Sequence, residues 1–376
     1  MNNQEKIYWL NQAKKLKWSN FPKKIFSSDK SNCPRWFEDG KIDIYYNLIE
    51  RNLKKKTGIY IISENKKIKF YSLIELDKYV NNFCYYLEKN YNLEKQTKIM
   101  IYASSSIESA IMMLSCSKLG IHFSVIFEDL SPVAIKQRID IFQPSIFLTR
   151  KKEVLKIFNS KFKKTNKLKT FYFKNFFSKK MHNKKFKSKI VKSTSNFFSL
   201  FTSGTTGEPK GVTHSYGGYL VYANLTCRKN FGIKEKMNVF TASDAGWING
   251  HTYALFGPLS LGANTFLIEK PIKLLDENFL KKILNFNVNV LYLPVTLIRL
   301  MKTMFSEKIL NKNKLKTLGS MGEPLAPEIG KWYSKKFNLK NKSIINTYFQ
   351  TETGGIICSP KYNSNPKKTP HGSVGV

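Results

Sequence analysis

The run Phe201-Thr202-Ser203-Gly204-Thr205-Thr206-Gly207-Glu208-Pro209-Lys210-Gly211 follows directly on a strand-like apolar segment, Phe197 to Phe201. Glycines let a backbone approach a ligand closely and turn its N–H groups inward, while hydroxyls and an ammonium add donors, so a loop of this composition suits a polyphosphate. It is not the common nucleotide loop, GxxxxGK[ST]. That pattern needs Ser or Thr after the lysine, whereas here Pro209 precedes Lys210 and Gly211 follows it. Taken alone, the same composition also describes an ordinary flexible turn.

Working outward, the surrounding chain alternates between strand and helix patterns. Lys98 to Tyr102, His122 to Phe127 and Ser145 to Thr149 read as short apolar strands. Between them, Ile107 to Leu119 reads as a helix with Ala110, Met113 and Leu114 on one face, and Ser131 to Phe142 as a helix that stops before Pro144. Upstream, Ile44 to Leu53 fits a helix. Gly58 to Phe70 fits two strands joined at Glu64-Asn65-Lys66-Lys67, and Ser72 with Glu75 fits a capped start for a helix from Leu73 to Lys89. Downstream, strands are expected near Phe197, Val239, Thr265, Val290, Leu315 and Ile344. Helices are expected over Tyr216 to Asn230, Asp276 to Asn285, Thr296 to Phe305 and Pro327 to Phe337. This rhythm means parallel pairing with helices on the sheet faces, and the fold class is α/β with two parallel-sheet subdomains. Ligands of open parallel sheets gather at the carboxyl ends of strands, where the hydroxyl-rich loop is expected to lie.

Composition narrows the possibilities. A chain of 376 residues with 42% hydrophobic and 14% aromatic content can bury a large core. No apolar run reaches the ~18 residues that span a bilayer. The N-terminus lacks the apolar core of a secretory signal. Cys33, Cys84, Cys116, Cys227 and Cys358 are odd in number and far apart, which fits neither a disulfide framework nor a metal site and points to a cytoplasmic protein. His251 has no second His or Cys at ligand spacing, so it is not a metal-ligand candidate and reads as orienting a pocket wall, while His214, just after the hydroxyl-rich run, reads as a packing residue or one that supports a site residue. The net charge of +37 is almost all lysine, densest over Lys151 to Lys192, where Phe158, Phe162, Phe171, Tyr172, Phe173, Phe176 and Phe177 interleave. Such a segment can bind single strands. The plainer reading is a solvated connector with core-facing aromatics, the wider charge serving to attract anionic partners at long range.

Three further blocks decide between these readings: Asp244-Ala245-Gly246-Trp247-Ile248-Asn249-Gly250-His251-Thr252-Tyr253, Gly319-Ser320-Met321-Gly322-Glu323-Pro324, and Tyr348-Phe349-Gln350-Thr351-Glu352-Thr353-Gly354-Gly355. In this order, after the loop at Phe201, they closely resemble the adenylate-forming (AMP-binding) superfamily, in particular its short-chain, acetyl-CoA-synthetase-type branch. The resemblance runs from about Trp36 to the end of the chain. It implies ATP-dependent activation of a short carboxylate, acetate or propionate, to an acyl-adenylate and then to acyl-CoA, with Mg²⁺ and CoA. Small-molecule partners are implied, without a membrane or nucleic acid.

The resemblance also implies roles for residues. Thr202, Ser203, Gly204, Thr205, Thr206, Gly207 and Lys210 would hold the β- and γ-phosphates. Thr351 would donate to the α-phosphate, and Glu352 would bind Mg²⁺, since a hard cation bridging phosphates takes one or two carboxylates. Thr206, Lys210, Thr351 and Glu352 are thus the catalytic candidates. Gly322, Glu323 and Pro324 would border the adenine through backbone contacts, with Tyr348 stacked on the purine and Phe349 and Gln350 beside it as nucleotide-binding residues. Trp247, Ile248, Asn249, Met321 and Phe349 would shape the acyl pocket. Phe349 stands where acetate-using members carry tryptophan and longer-chain members glycine, Met321 where valine is common, and Asn249 where threonine is frequent.

The pattern is departed from in two places. Glu128 and Asp129 replace two glycines that lie near CoA in the family, and two carboxylates there would repel an anionic nucleotide. The sequence also stops at Val376, before the small β-rich subdomain, the ribose-binding aspartate and the mobile C-terminal domain with its lysine. Residues 1–40 therefore read as an N-terminal extension and 41–376 as the large AMP-binding domain, incomplete at its C-terminal end, with a connector at 151–192. The expectation for 1–376 alone is weak or no turnover. The alternatives are a truncated or degenerate nucleotide-binding relative, or adenylation coupled to a carrier-protein thiol.

Overall fold

The computed structural model describes residues 1–375 apart from 29–33, 95, 156–167, 178–184, 204–207 and 311–313. The chain forms two compact units, one of Met1–Leu53 and Leu73–Val221, the other of Lys54–Ser72 and Tyr222–Val376.

The first unit is built on a six-stranded sheet in the order Lys169–Tyr172, Ile146–Thr149, Lys98–Tyr102, His122–Ile126, Asn196–Ser203, Pro209–Ser215. All neighbours run parallel except the last, which turns back antiparallel on Asn196–Ser203. The expected helix at Ile107–Leu119 is present, begun by Ser106 accepting from the Ser109 N–H and ended by Gly120 at φ +65, where a glycine is favoured. It is buried all round, serines included, and not on one face alone. Lys118 on this helix is 1% exposed, and its ammonium lies 3.0 Å from Glu50, 3.4 Å from Asp77 and 4.0 Å from the centre of the Tyr45 ring. A buried ammonium is tolerated only when paired in this way.

The N-terminal segment belongs to this unit. Trp18–Asn20 and Val191–Lys192 flank Lys41–Ile42 in a small antiparallel sheet, and Trp18 and Leu16 are buried. Four aromatics of the lysine-rich connector, Phe171, Phe173, Phe176 and Phe186, are core residues, while Tyr172 is half-buried. Phe171, Phe173 and Phe176 pack around Phe83 at 5.9, 4.8 and 5.1 Å between ring centres, so they are not available to stack on bases. Phe158 and Phe162 lie outside the described residues.

The second unit holds a seven-stranded sheet in the order Ile345–Asn346, Thr317–Met321, Val288–Pro294, Asn238–Thr241, Asn264–Ile268, Gly58–Ile62, Ile68–Ser72. It too is parallel except for its last strand, the second arm of the hairpin expected over Gly58 to Phe70. Helices Glu277–Leu284, Val295–Met304 and Pro327–Lys336 contribute Leu280, Ile298 and Tyr333 to a core cluster with Leu291 and Leu318 of the sheet. Lys336 is a second buried lysine, donating to Glu277 at 3.0 Å and to the carbonyls of Ser306 and Lys308 at 2.6 and 2.8 Å.

Candidate active site

In the first unit, Asn196–Ser203 runs parallel to His122–Ile126, so Ser203 stands at its carboxyl end. The chain then returns as a strand, Pro209–Ser215, which polar composition had hidden. The register pairs Thr202 with Lys210 and Ser203 with Pro209. Residues opposite each other across a sheet project on the same face, so Lys210, exposed to solvent, and Thr202 share a side of this hairpin. Gly204, Thr205, Thr206 and Gly207 lie outside the described residues. Further back, His122 Nε2 lies 2.8 Å from the Ser199 hydroxyl, which lies 2.7 Å from that of Thr213. Burial, reinforced by Lys98, lowers the His122 pKa to about 4, so the imidazole is neutral at pH 7. His214 packs against Phe198, as expected of a packing residue.

Glu128 is not the open carboxylate that its sequence position suggested. It is 6% exposed and gripped by the Arg150 guanidinium, Nε to Oε1 at 2.6 Å and an NH₂ to Oε2 at 3.0 Å. Its backbone carbonyl accepts from the Tyr102 hydroxyl and from Lys151 Nζ. The repulsion expected from Glu128 is therefore cancelled locally, and Asp129, which is exposed, lies 3.8 Å from the same Lys151 ammonium. Arg150 and Lys151 also line a cavity of about 230 Å³ with Glu108, Tyr172 and Lys174.

In the second unit, three of the four sequence blocks follow carboxyl ends of parallel strands. Asp244 to Tyr253 follows Asn238–Thr241, Gly322-Glu323-Pro324 follows Thr317–Met321, and the Tyr348 block follows Ile345–Asn346. Met321 belongs to a buried cluster with Tyr253, Tyr292 and Ile356, and Phe349 packs against it. Asn249 joins the same group, its Nδ2 donating to Met321 Sδ at 2.7 Å and to the Tyr292 hydroxyl at 3.5 Å. Ile248 is buried, while Trp247 is 54% exposed at the head of the short helix Ile248–His251. That helix continues into a π-helical turn, Thr252–Phe256, a form that recurs at functional sites.

Tyr348 to Glu352 sit on a hairpin, Tyr348–Gln350 paired with Gly355–Cys358. Its turn is closed by Thr353, whose hydroxyl is 2.9 Å from the Gln350 carbonyl and 2.7 Å from that of Gly355. Three side chains outside the hairpin hold it. Thr252 donates to the Gly354 carbonyl at 2.8 Å, Tyr222 donates to the Ile356 carbonyl at 2.6 Å, and the Tyr253 oxygen accepts the Ile356 N–H at 2.8 Å. Glu352 and Gln350 are exposed on this frame, Thr351 partly so, and Tyr348 is 48% exposed. Gly322 has φ +91 with open space where a Cβ would stand, and Glu323 pairs with Arg299 at 2.8 Å. The sequence reading missed Thr252, Tyr253, Tyr222, Tyr292 and Thr347 as the supports of these blocks. Their hydroxyls carry no spacing signal, although Thr252 and Tyr253 lie inside one quoted motif and Thr347 directly precedes another.

The sequence profile of the AMP-binding enzyme family matches residues 50–376, and that of the acetyl-coenzyme A synthetase N-terminus matches residues 2–48. The chain belongs to the AMP-binding enzyme family. Among individual relatives, it is 33% identical over 395 residues to an acetyl-coenzyme A synthetase of Helicobacter pylori (strain HPAG1), covering 96% of this chain and 59% of the relative. To an acetyl-coenzyme A synthetase of Leptospira biflexa it is 31% identical over 399 residues, covering 96% of this chain and 61% of the relative. The solved structure of an acetoacetyl-CoA synthetase from Streptomyces lividans superposes with a TM-score of 0.82 at 12% identity, over 96% of this chain and 60% of that one. The chain thus spans about three-fifths of the length of the relatives it matches.

Proposed function

We propose that the chain supplies the nucleotide- and acid-binding portion of a cytoplasmic ligase that joins a short-chain carboxylate, acetate or propionate, to the thiol of CoA at the expense of ATP. What carries this reading is the gathering of the Trp247, Met321 and Tyr348 blocks at the carboxyl edge of one parallel sheet, together with family membership. The reaction joins two anions, so positioning and charge neutralisation are its main demands. Thr202, Ser203 and Lys210, with the run 204–207 between them, would hold the terminal phosphates. Gly322, open at its missing Cβ and in a backbone form that only glycine adopts easily, would let the adenine edge approach the backbone, with Tyr348 against the ring. Phe349, Met321, Ile248, Asn249 and Trp247 would enclose the short acyl chain.

Glu352 fits a magnesium role, because its carboxylate is exposed on a braced turn while Glu323 is held by Arg299. Magnesium keeps most of its waters and takes only one or two protein carboxylates, and when bound it would offset phosphate charge. Thr351, beside it, would donate to the α-phosphate.

Calorimetric titration with ATP tests the proposal. Binding should require Mg²⁺, and Glu352→Gln should weaken the magnesium-dependent part by at least about tenfold, as expected for loss of a charge-assisted ligand. Absence of nucleotide binding at millimolar ATP would remove the proposal. A second reading, transfer of the acyl group to a carrier-protein thiol, draws on Glu128, which Arg150 holds, and Asp129, which stand where the family resemblance puts glycines beside CoA. It predicts acid-dependent ATP–pyrophosphate exchange without CoA-dependent AMP release in the whole enzyme.

A further inference from the structure

The hydrogen atoms around Asn249 can be assigned from one end of a chain of contacts. The Ser320 carbonyl can only accept, so the Thr347 hydroxyl donates to it at 2.9 Å. With its single hydrogen committed, Thr347 Oγ1 accepts from the Tyr292 hydroxyl at 2.6 Å. Tyr292 then has only lone pairs to present to Asn249, and a thioether sulfur such as Met321 Sδ likewise only accepts. Both neighbours therefore require the NH₂ end of the amide. The other end, Oδ1, is buried and has no hydrogen-bond partner among the described residues, on a side chain that is 2% exposed. A buried amide oxygen to which no protein group donates destabilises the fold unless a donor arrives.

The geometry points to a substrate that brings that donor: a short carboxylic acid carrying a hydroxyl on the carbon next to the carboxyl group or the one beyond. The inference rests on the proposal that Asn249, Met321 and Phe349 border the acyl group. Met321, unbranched and adaptable, lies against the same amide and would turn aside to admit the acid. A plain acyl chain leaves the oxygen unpaired and a hydroxylated one satisfies it. Sites that depend on such a bond discriminate strongly against the analogue that lacks it.

Non-hydrolysable acyl-sulfamoyl adenosines test this without requiring turnover. Acetyl, propionyl, glycolyl, lactyl and 3-hydroxypropionyl forms are titrated into the chain. At least one hydroxylated form should bind about tenfold more tightly than its plain counterpart of equal carbon count, the scale of one well-made hydrogen bond. In Asn249→Leu that ratio should fall to near one. The wild-type comparison decides the matter by itself if the variant does not fold. Equal affinities for plain and hydroxylated forms mean that a water molecule serves Oδ1, which overturns the inference and leaves the nucleotide site standing. If no analogue binds, the proposed function falls together with the inference.

Discussion

Glu128 and Glu352 differ in their surroundings more than in their sequence context. Glu128 lies two residues beyond the His122–Ile126 strand and Arg150 one beyond Ile146–Thr149, and these strands flank Lys98–Tyr102 on either side. The sheet thus brings together a pair whose separation in sequence gave no hint of contact, which is why the carboxylate read as open. Arg150→Met should leave a buried charge without its fork and lower the unfolding free energy of the first unit by about 3 kcal/mol, measured by urea titration. Adding Glu128→Gln should restore most of that loss. Full stability in the single variant would mean that Lys151 alone compensates. At Asn249 the amide itself was legible as a polar oddity, but its orientation became clear only once Tyr292, Thr347 and Ser320 were seen in line.

Among elements, the regular ones were read well because their periodicity is set by burial. The strand Lys98–Tyr102 and the helices Ile107–Leu119 and Tyr216–Asn230 have the expected ends. The hairpins at Pro209–Ser215 and Tyr348–Cys358 were not read as strands. Their residues are largely polar and show no regular apolar alternation, and hydroxyls from elsewhere in their own unit hold the second of them in place. Tyr253→Phe removes the oxygen that accepts the Ile356 N–H and leaves that buried amide unsatisfied, a cost of about 1–3 kcal/mol. Amide hydrogen exchange at Ile356 should accelerate, with smaller changes in helix Pro327–Lys336. Unchanged exchange would show that Tyr222 and Thr252 suffice.

For the whole molecule, each unit carries its own titrating weak point. His122, in the first, has its pKa lowered from 6.5 to about 4 by burial and then by Lys98. The unfolded chain binds that proton more readily, so the first unit is at full strength above about pH 6.5 and weakens as pH falls toward 4. Burial alone would raise Glu277 in the second unit, but the Ser306 N–H, Lys336 and the Ser306 hydroxyl together bring it to about 2 from 4.5. Its contribution is complete above about pH 4.5 and is lost as pH falls through 2. At pH 5, therefore, urea unfolding should show the first unit giving way earlier than at pH 7 while the second holds. Fluorescence of Trp18 and Trp332, in variants retaining one or the other, distinguishes the two transitions. Coincident shifts would refute the assignment. In a protein so rich in lysine, an amine-acylating reagent would decorate most of the surface yet spare Lys118 and Lys336, sealed as they are among carboxylates, carbonyls and rings. Mass spectrometry of those two positions over time would then time each unit's opening separately, as two clocks already built into the chain.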